Sequence, residues 1–263
     1  MLIYVIKPEM HRTYSIDMIK GWAALSIVCL HCTNSDAFDS VIHLIGRMAV
    51  PMFFIITGYF LPTMLGSGRL HKHIIKILKI FVYSVLLYLL LLCVEGLIKG
   101  DIASKLSNVI NSSNVLQLLL LGRNPFNVNG GHLWFLIAEF YVLILLYFYT
   151  KHWRIERLFK YIPILFFIGY ILSSITDISR IYYQNWLFIG LPYILLGSYI
   201  YRNKDKVSST NFNFAILLIA FSIIYALEIG SYLLLNLPAH REHYLSIIPL
   251  VSIILIWDLR ILS

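Results

Sequence analysis

Eight apolar runs divide this chain of 263 residues, at 15–33, 41–62, 77–98, 131–150, 161–176, 185–201, 212–234 and 245–260. A helix that crosses a bilayer needs ~20 predominantly apolar residues. Runs of this length leave the fold little choice. They predict an all-α, polytopic transmembrane helix bundle of about eight spans, forming a single domain over residues 1–263. A ninth run, Val115 to Leu121, is too short to span and reads as interfacial or re-entrant. Composition agrees, since 59% of the residues are hydrophobic and 13% are charged. Soluble domains are nearer half apolar and about a quarter charged. No internal repeat, flexible linker or second domain is visible.

The formal net charge of +8 raises the question of nucleic acid. Its distribution answers otherwise. With the N-terminus in the cytoplasm, the inner segments hold Lys7, Arg12, Lys20, Arg69, Lys72, Lys76, Lys79, Lys151, Arg154, Arg157, Lys160, Arg202, Lys204, Lys206 and Arg260. The outer segments hold Arg47, Lys99, Lys105, Arg123, Arg180 and Arg241. Fifteen against six follows the positive-inside rule for eight spans with both termini cytoplasmic. The basic excess is therefore explained by topology, and no nucleic-acid partner is expected. Polar residues from Lys7 to Tyr14 precede the first long run, so no signal-peptide pattern opens the chain. Three cysteines make no disulfide framework.

Ionisable groups inside spans are costly, and each is a candidate site. On the first run Lys20 and His31 lie eleven residues apart. On a helix that spacing returns to within ~20° of one face with a rise of ~16 Å. Asp17 lies one turn before Lys20, within pairing reach. A snorkelling lysine and a headgroup histidine explain the same residues equally well. Cys29, His31 and Cys32 look like a metal or thiol site, but His31 points ~200° from Cys29 on a helix. The cysteines read as packing residues, and no metal is expected. Arg47 opens the second run, either snorkelling or facing the interior to bind an anion or carbonyl. Pro51, one turn deeper, is expected to kink that helix. In the fourth run His132 and Glu139 are seven apart and share a face, with Glu139 ~10 Å deeper. Glu139 is flanked by Leu136, Ile137, Phe140 and Tyr141, so it needs a partner. Trp134 fits an aromatic belt or a stacking platform, the belt more simply. His71 and His73 read as solvated or headgroup-facing residues of a basic loop.

Three blocks then form a pattern. "SIDMIKGWAALSIVCLH" has an aspartate, a basic residue and a histidine eleven positions later. "RMAVPMFFIITGYFL" has Val-Pro-x-Phe-Phe followed by Thr-Gly-Tyr. "GHLWFLIAEFYVLILLYF" has His-x-Trp-Phe-Leu and a glutamate five residues after the tryptophan. In order and spacing they resemble the acyltransferase-three family of integral membrane O-acyltransferases, best known for acetylating bacterial surface polysaccharides. The blocks are spread over residues 15–200, with weaker echoes at 69–79 and in "LPYILLGSYIY". Lysine stands at position 20 where the family commonly has arginine, keeping the charge without the planar fork. The family commonly has more spans than the eight counted here, so a shorter member lacking the last spans is expected.

The resemblance implies an acetyl group moved from acetyl-CoA to a hydroxyl of a cell-surface polysaccharide or its lipid-linked precursor. It places the protein in the bacterial cytoplasmic (inner) membrane, among lipid, acyl-CoA and a glycan acceptor. It implies His31, Arg47 and Glu139 as catalytic residues, with His31 as the base. Lys20, Asp17 and Trp134 would then serve the donor, and His132 the substrate. Transport of modified polysaccharide or small acids is the rival reading, because buried Arg, Glu and His on kinked helices also suit a translocation path.

Overall fold

A computed structural model of the protein describes residues 14–32, 36–121, 133–175, 179, 182–208, 213–234 and 243–261. The described residues are helical, with no strand among them. The long helices are α1 (Tyr14–Cys32), α2 (Asp36–Gly66) and α3 (Leu70–Lys99). Two short helices follow, α4 (Ile102–Val109) and α5 (Ser112–Leu121), and then α6 (Trp134–Tyr149). A 3-10 turn at Ile155–Tyr161 leads into α7 (Ile162–Ser174). A π turn at Trp186–Gly190 opens α8 (Leu191–Arg202), and α9 (Lys204–Ser208), α10 (Phe214–Leu234) and α11 (Ile247–Ile261) complete the order.

Each of the eight apolar runs thus contains a helix. Among the described residues, three helical stretches are by themselves long and apolar enough to cross a membrane, Ile45–Gly66, Leu70–Lys99 and Phe214–Ser231. Helices α6 and α11 are apolar but shorter. The short run at 115–121 is the body of α5, and its Leu118 carbonyl accepts the Tyr141 hydroxyl at 2.8 Å. Pro51 and Pro62 lie inside α2 without ending it. Pro163 and Pro192 stand in the first turns of α7 and α8, where a missing N–H costs little. Two left-handed glycines shape the ends of α3. Gly68 (φ 66°) turns the chain between α2 and α3, and Gly100 (φ 73°) ends α3.

Helix α2 is the centre of the bundle. Its Phe54, Ile55, Ile56 and Leu61 are at most 1% exposed. It packs between α1 and α8, with α11 alongside. At the crossing with α8 the backbones touch. A Cβ at Gly58 would run into the Ile194 carbonyl, and one at Gly197 would collide with the Ile55 carbonyl and lie 2.7 Å from the Tyr59 nitrogen. The Ser198 hydroxyl donates to the Gly58 carbonyl at 2.8 Å. Close backbone approach over small residues is how membrane helices gain contact when hydrophobic burial supplies little drive. Helices α3 and α10 lie outermost. They expose Leu86, Leu87, Leu90, Leu91 and Ile98, and Ile219, Ile223 and Leu227, faces suited to acyl chains.

Candidate functional site

Polar side chains from three helices converge in this apolar frame, with a fourth nearby. Glu139 of α6 is 7% exposed. The Thr57 hydroxyl of α2 donates to its Oε1 at 2.7 Å. The Nε2 of His73, from α3, lies 3.8 Å from the same oxygen. That nitrogen is buried and makes no hydrogen bond. Lys20 of α1 lies near the group, its side chain 38% exposed. Its ammonium lies 4.0 Å from Asp17 Oδ1 and 5.2 Å from the centre of the Phe60 ring. It feels the Glu139 carboxylate as well as Asp17, with Lys76 opposing.

The local sequence explains the convergence. The Thr-Gly-Tyr triplet of the second block divides its tasks. Thr57 reaches Glu139, Gly58 admits α8, and Tyr59 sets its ring edge-on to Tyr201 at 5.2 Å. Helix α3 begins at Leu70, earlier than the apolar run beginning at 77. His73 therefore belongs to a helix and not to a loop. Its neighbours Leu70, Ile74 and Ile77 are buried, so His73 lies on the packed face at i+3 from Leu70 and i−4 from Ile77. This corrects the solvated reading of His73. The buried positions of that one turn are the signal that finds it.

The structure brings a histidine to Glu139, His73. Arg47 lies ten residues before Thr57 on α2, ~15 Å along the axis. There its charge acts on the Tyr225 hydroxyl, which also feels Glu228. The Tyr225 and Tyr244 rings meet edge-on at 5.4 Å. Glu228 accepts the backbone N–H groups of Leu245 and Ser246, each at 3.0 Å, and the Ser246 hydroxyl. It is a lone carboxylate in the apolar run at 212–234, a signal passed over in the sequence. Buried His243, also unforeseen, pairs its Nε2 with the Tyr183 carbonyl at 3.0 Å. Trp134 is partly buried and packs edge-on against buried Phe54 at 6.2 Å. Two candidates lie outside the described residues, His132 entirely and the side chain of His31.

The model of a protein family described as an acyltransferase domain matches residues 13–262. The chain belongs to the acyltransferase-three family. Two curated relatives, both named amino-acid racemase and both from Enterococcus faecalis, match it at 27% and 24% identity. The first alignment covers 76% of this chain and 31% of the relative, and the second 92% and 35%. The chain thus spans about a third of the length of the curated relatives it matches. No solved structure matches it.

In this acyltransferase-three protein the second and third sequence blocks meet at Glu139, which makes that carboxylate a structural centre. Glu139→Ala strands the Thr57 hydroxyl in an apolar interior and removes the charge facing Lys20. The expected loss of stability is about 1–3 kcal/mol. Glu139→Gln keeps an acceptor for Thr57 and is expected to lose less. Thermal melts of the detergent-purified variants measure both, and equal melting of Glu139→Ala and the parent would refute the role.

Proposed function

We propose that this chain is an O-acyltransferase of the bacterial cytoplasmic (inner) membrane. It moves an acetyl group from acetyl-CoA to a hydroxyl of a cell-surface polysaccharide or its lipid-linked precursor. Helices α1, α2, α3, α6, α7, α8, α10 and α11 cross the bilayer, with both termini on the cytoplasmic side where basic residues concentrate. One observation carries the reading. Thr57 from the second block donates to buried Glu139 from the third in one polar cluster, and the part-exposed Lys20 of the first block feels that carboxylate's charge. Such a cluster is expensive in a membrane protein and needs a chemical reason.

In the proposed reaction the acceptor hydroxyl attacks the thioester carbonyl. A C–O bond forms and the C–S bond breaks. His31 takes the hydroxyl proton and returns it to the departing thiolate. Arg47 stabilises the oxyanion. Lys20, balanced by Asp17, meets a donor phosphate, Trp134 contacts the donor, and His132 the acceptor. Glu139 fixes the cluster that holds Lys20 in place. Lys20→Arg is expected to keep or raise activity, because the fork binds phosphate in two places. Lys20→Ala is expected to raise the KM for acetyl-CoA about tenfold. An unchanged KM would take Lys20 out of the donor site.

A second reading draws on the polar groups held among the helices, Glu139 with Thr57 and His73. It makes the bundle a carrier for small acids or modified polysaccharide. The purified protein distinguishes the two. Acetyl transfer to a glycan, seen as a product heavier by one acetyl group, supports the enzyme. No transfer and no acetyl-CoA hydrolysis, together with uptake of a small acid into proteoliposomes, supports the carrier.

A further inference from the structure

At the end of the bundle where α2, α6 and α8 finish, a pocket of about 420 Å³ opens to the surroundings. Its lining includes Leu65, Lys151, Trp153, Arg154, Glu156 and Arg202. The volume falls in the range of small-molecule sites. Three cations against one carboxylate leave the lining with a net positive charge. Glu156 bridges two of the cations, with Oε1 3.1 Å from Arg202 Nη2 and Oε2 3.6 Å from Arg154 Nε. A guanidinium has five donors, so this bridge orients both forks and leaves donors for an anion. Trp153 is 51% exposed. The rings of Tyr149 and His152 steady it at 5.2 and 5.8 Å. A half-open indole beside guanidinium groups suits a planar base carrying phosphate.

The position is equally informative. Leu65 lies five residues beyond Phe60 on α2, ~7.5 Å along the axis, and Phe60 is the ring under the Lys20 ammonium. The pocket therefore lies just outside the Lys20 level. We infer that this pocket binds the adenine and 3′-phosphate end of a nucleotide thioester donor, with Trp153 stacking on the base and Arg154 and Arg202 holding the phosphate. The inference rests on the acyl-donor reading above and extends it. The diphosphate then falls toward Lys20. A pantetheine arm, about as long as four extended residues or ~13 Å, runs on along α1 toward position 31.

The test uses purified protein in nanodiscs of zwitterionic lipid, titrated with adenosine 3′,5′-bisphosphate, which lacks the pantetheine arm. Acyl transfer is assayed in parallel with acetyl-CoA and with acetyl-dephospho-CoA. Trp153→Ala and Arg154→Ala are the variants, and Arg154, 83% exposed in its side chain, is safe for folding. The bisphosphate is expected to bind, and each variant to weaken it about tenfold. The KM for acetyl-CoA is expected to rise by a similar factor with kcat unchanged, and Arg154→Ala to lose discrimination against the dephospho donor. Normal acyl transfer with unchanged KM in both variants overturns the pocket and leaves the enzyme reading standing. Bisphosphate binding that the variants abolish, without acyl transfer in the parent, overturns the enzyme reading and keeps the pocket. Neither binding nor transfer overturns both. Nanodiscs with anionic phospholipid supply the other source of phosphate. If they displace the bisphosphate while the KM for acetyl-CoA stays constant, the pocket is a headgroup site and the nucleotide assignment falls.

Discussion

Replacing His31 by alanine is expected to lower acyl transfer by about 10²–10⁴-fold, the usual contribution of a positioned base. Membrane abundance and thermal stability should stay near those of the parent. Ile16, Ala23 and Ser26 mark the packed face of α1, and Lys20 flanks that face at the level of Phe60. Eleven residues on, ~16 Å deeper, comes the one residue of α1 that can exchange a proton near neutral pH. A neutral imidazole can take the proton of a sugar hydroxyl, and a methyl group cannot. The measurement is the initial rate of acetyl transfer from acetyl-CoA, with the variant quantified in the same membranes. A rate equal to the parent's would end the assignment. A folded variant with no transfer, rescued in part by added imidazole, would support it strongly.

The second large effect concerns folding. Gly197→Leu is expected to prevent recovery of monodisperse protein. A side chain there meets the Ile55 carbonyl and the Tyr59 nitrogen, both backbone atoms of the central helix. Neither can swing aside as a side chain would. Overpacking of a tight core costs typically 1–3 kcal/mol even where neighbours can adjust, and here the crossing itself must open. The movement also pulls Ser198 from the Gly58 carbonyl, losing a buried hydrogen bond. It displaces Thr57, one residue from the contact, and so disturbs Glu139. Gly230→Leu is the control, since a Cβ there meets nothing within 4 Å. Size-exclusion profiles in mild detergent give the result. Equal recovery of the Gly197 and Gly230 variants would show that the crossing is not tight.

The helical frame was legible because run length alone decides whether a segment can satisfy its backbone in lipid. The polar cluster was legible in halves. Glu139 stood out as a carboxylate among Leu136, Ile137, Phe140 and Tyr141, yet nothing local named its partners. Thr57 lies 82 residues away, and a threonine inside an apolar run gives no warning. His73 was hidden for a different reason. The basic stretch from Arg69 to Lys79 reads as a loop by composition, but helix α3 continues through it, because charged side chains at a helix end can reach water while the backbone stays paired. Trp134 was ambiguous because a tryptophan near a helix start fits the interface and the interior alike, and its contact with Phe54 is a tertiary one that sequence does not reveal. The span count rests on shorter helices whose length alone does not establish a crossing.

The carboxylate of Glu228 has a wider consequence. It takes up the N–H groups of Leu245 and Ser246 immediately before α11 begins. The axial register of α10 against α11 is therefore written in hydrogen bonds between a side chain and a backbone. A connector relieved of that duty is free to lengthen or change composition, since added loop residues cost little closure entropy. Among relatives of this protein, variation should gather in that joint while the two helices keep their relative depth.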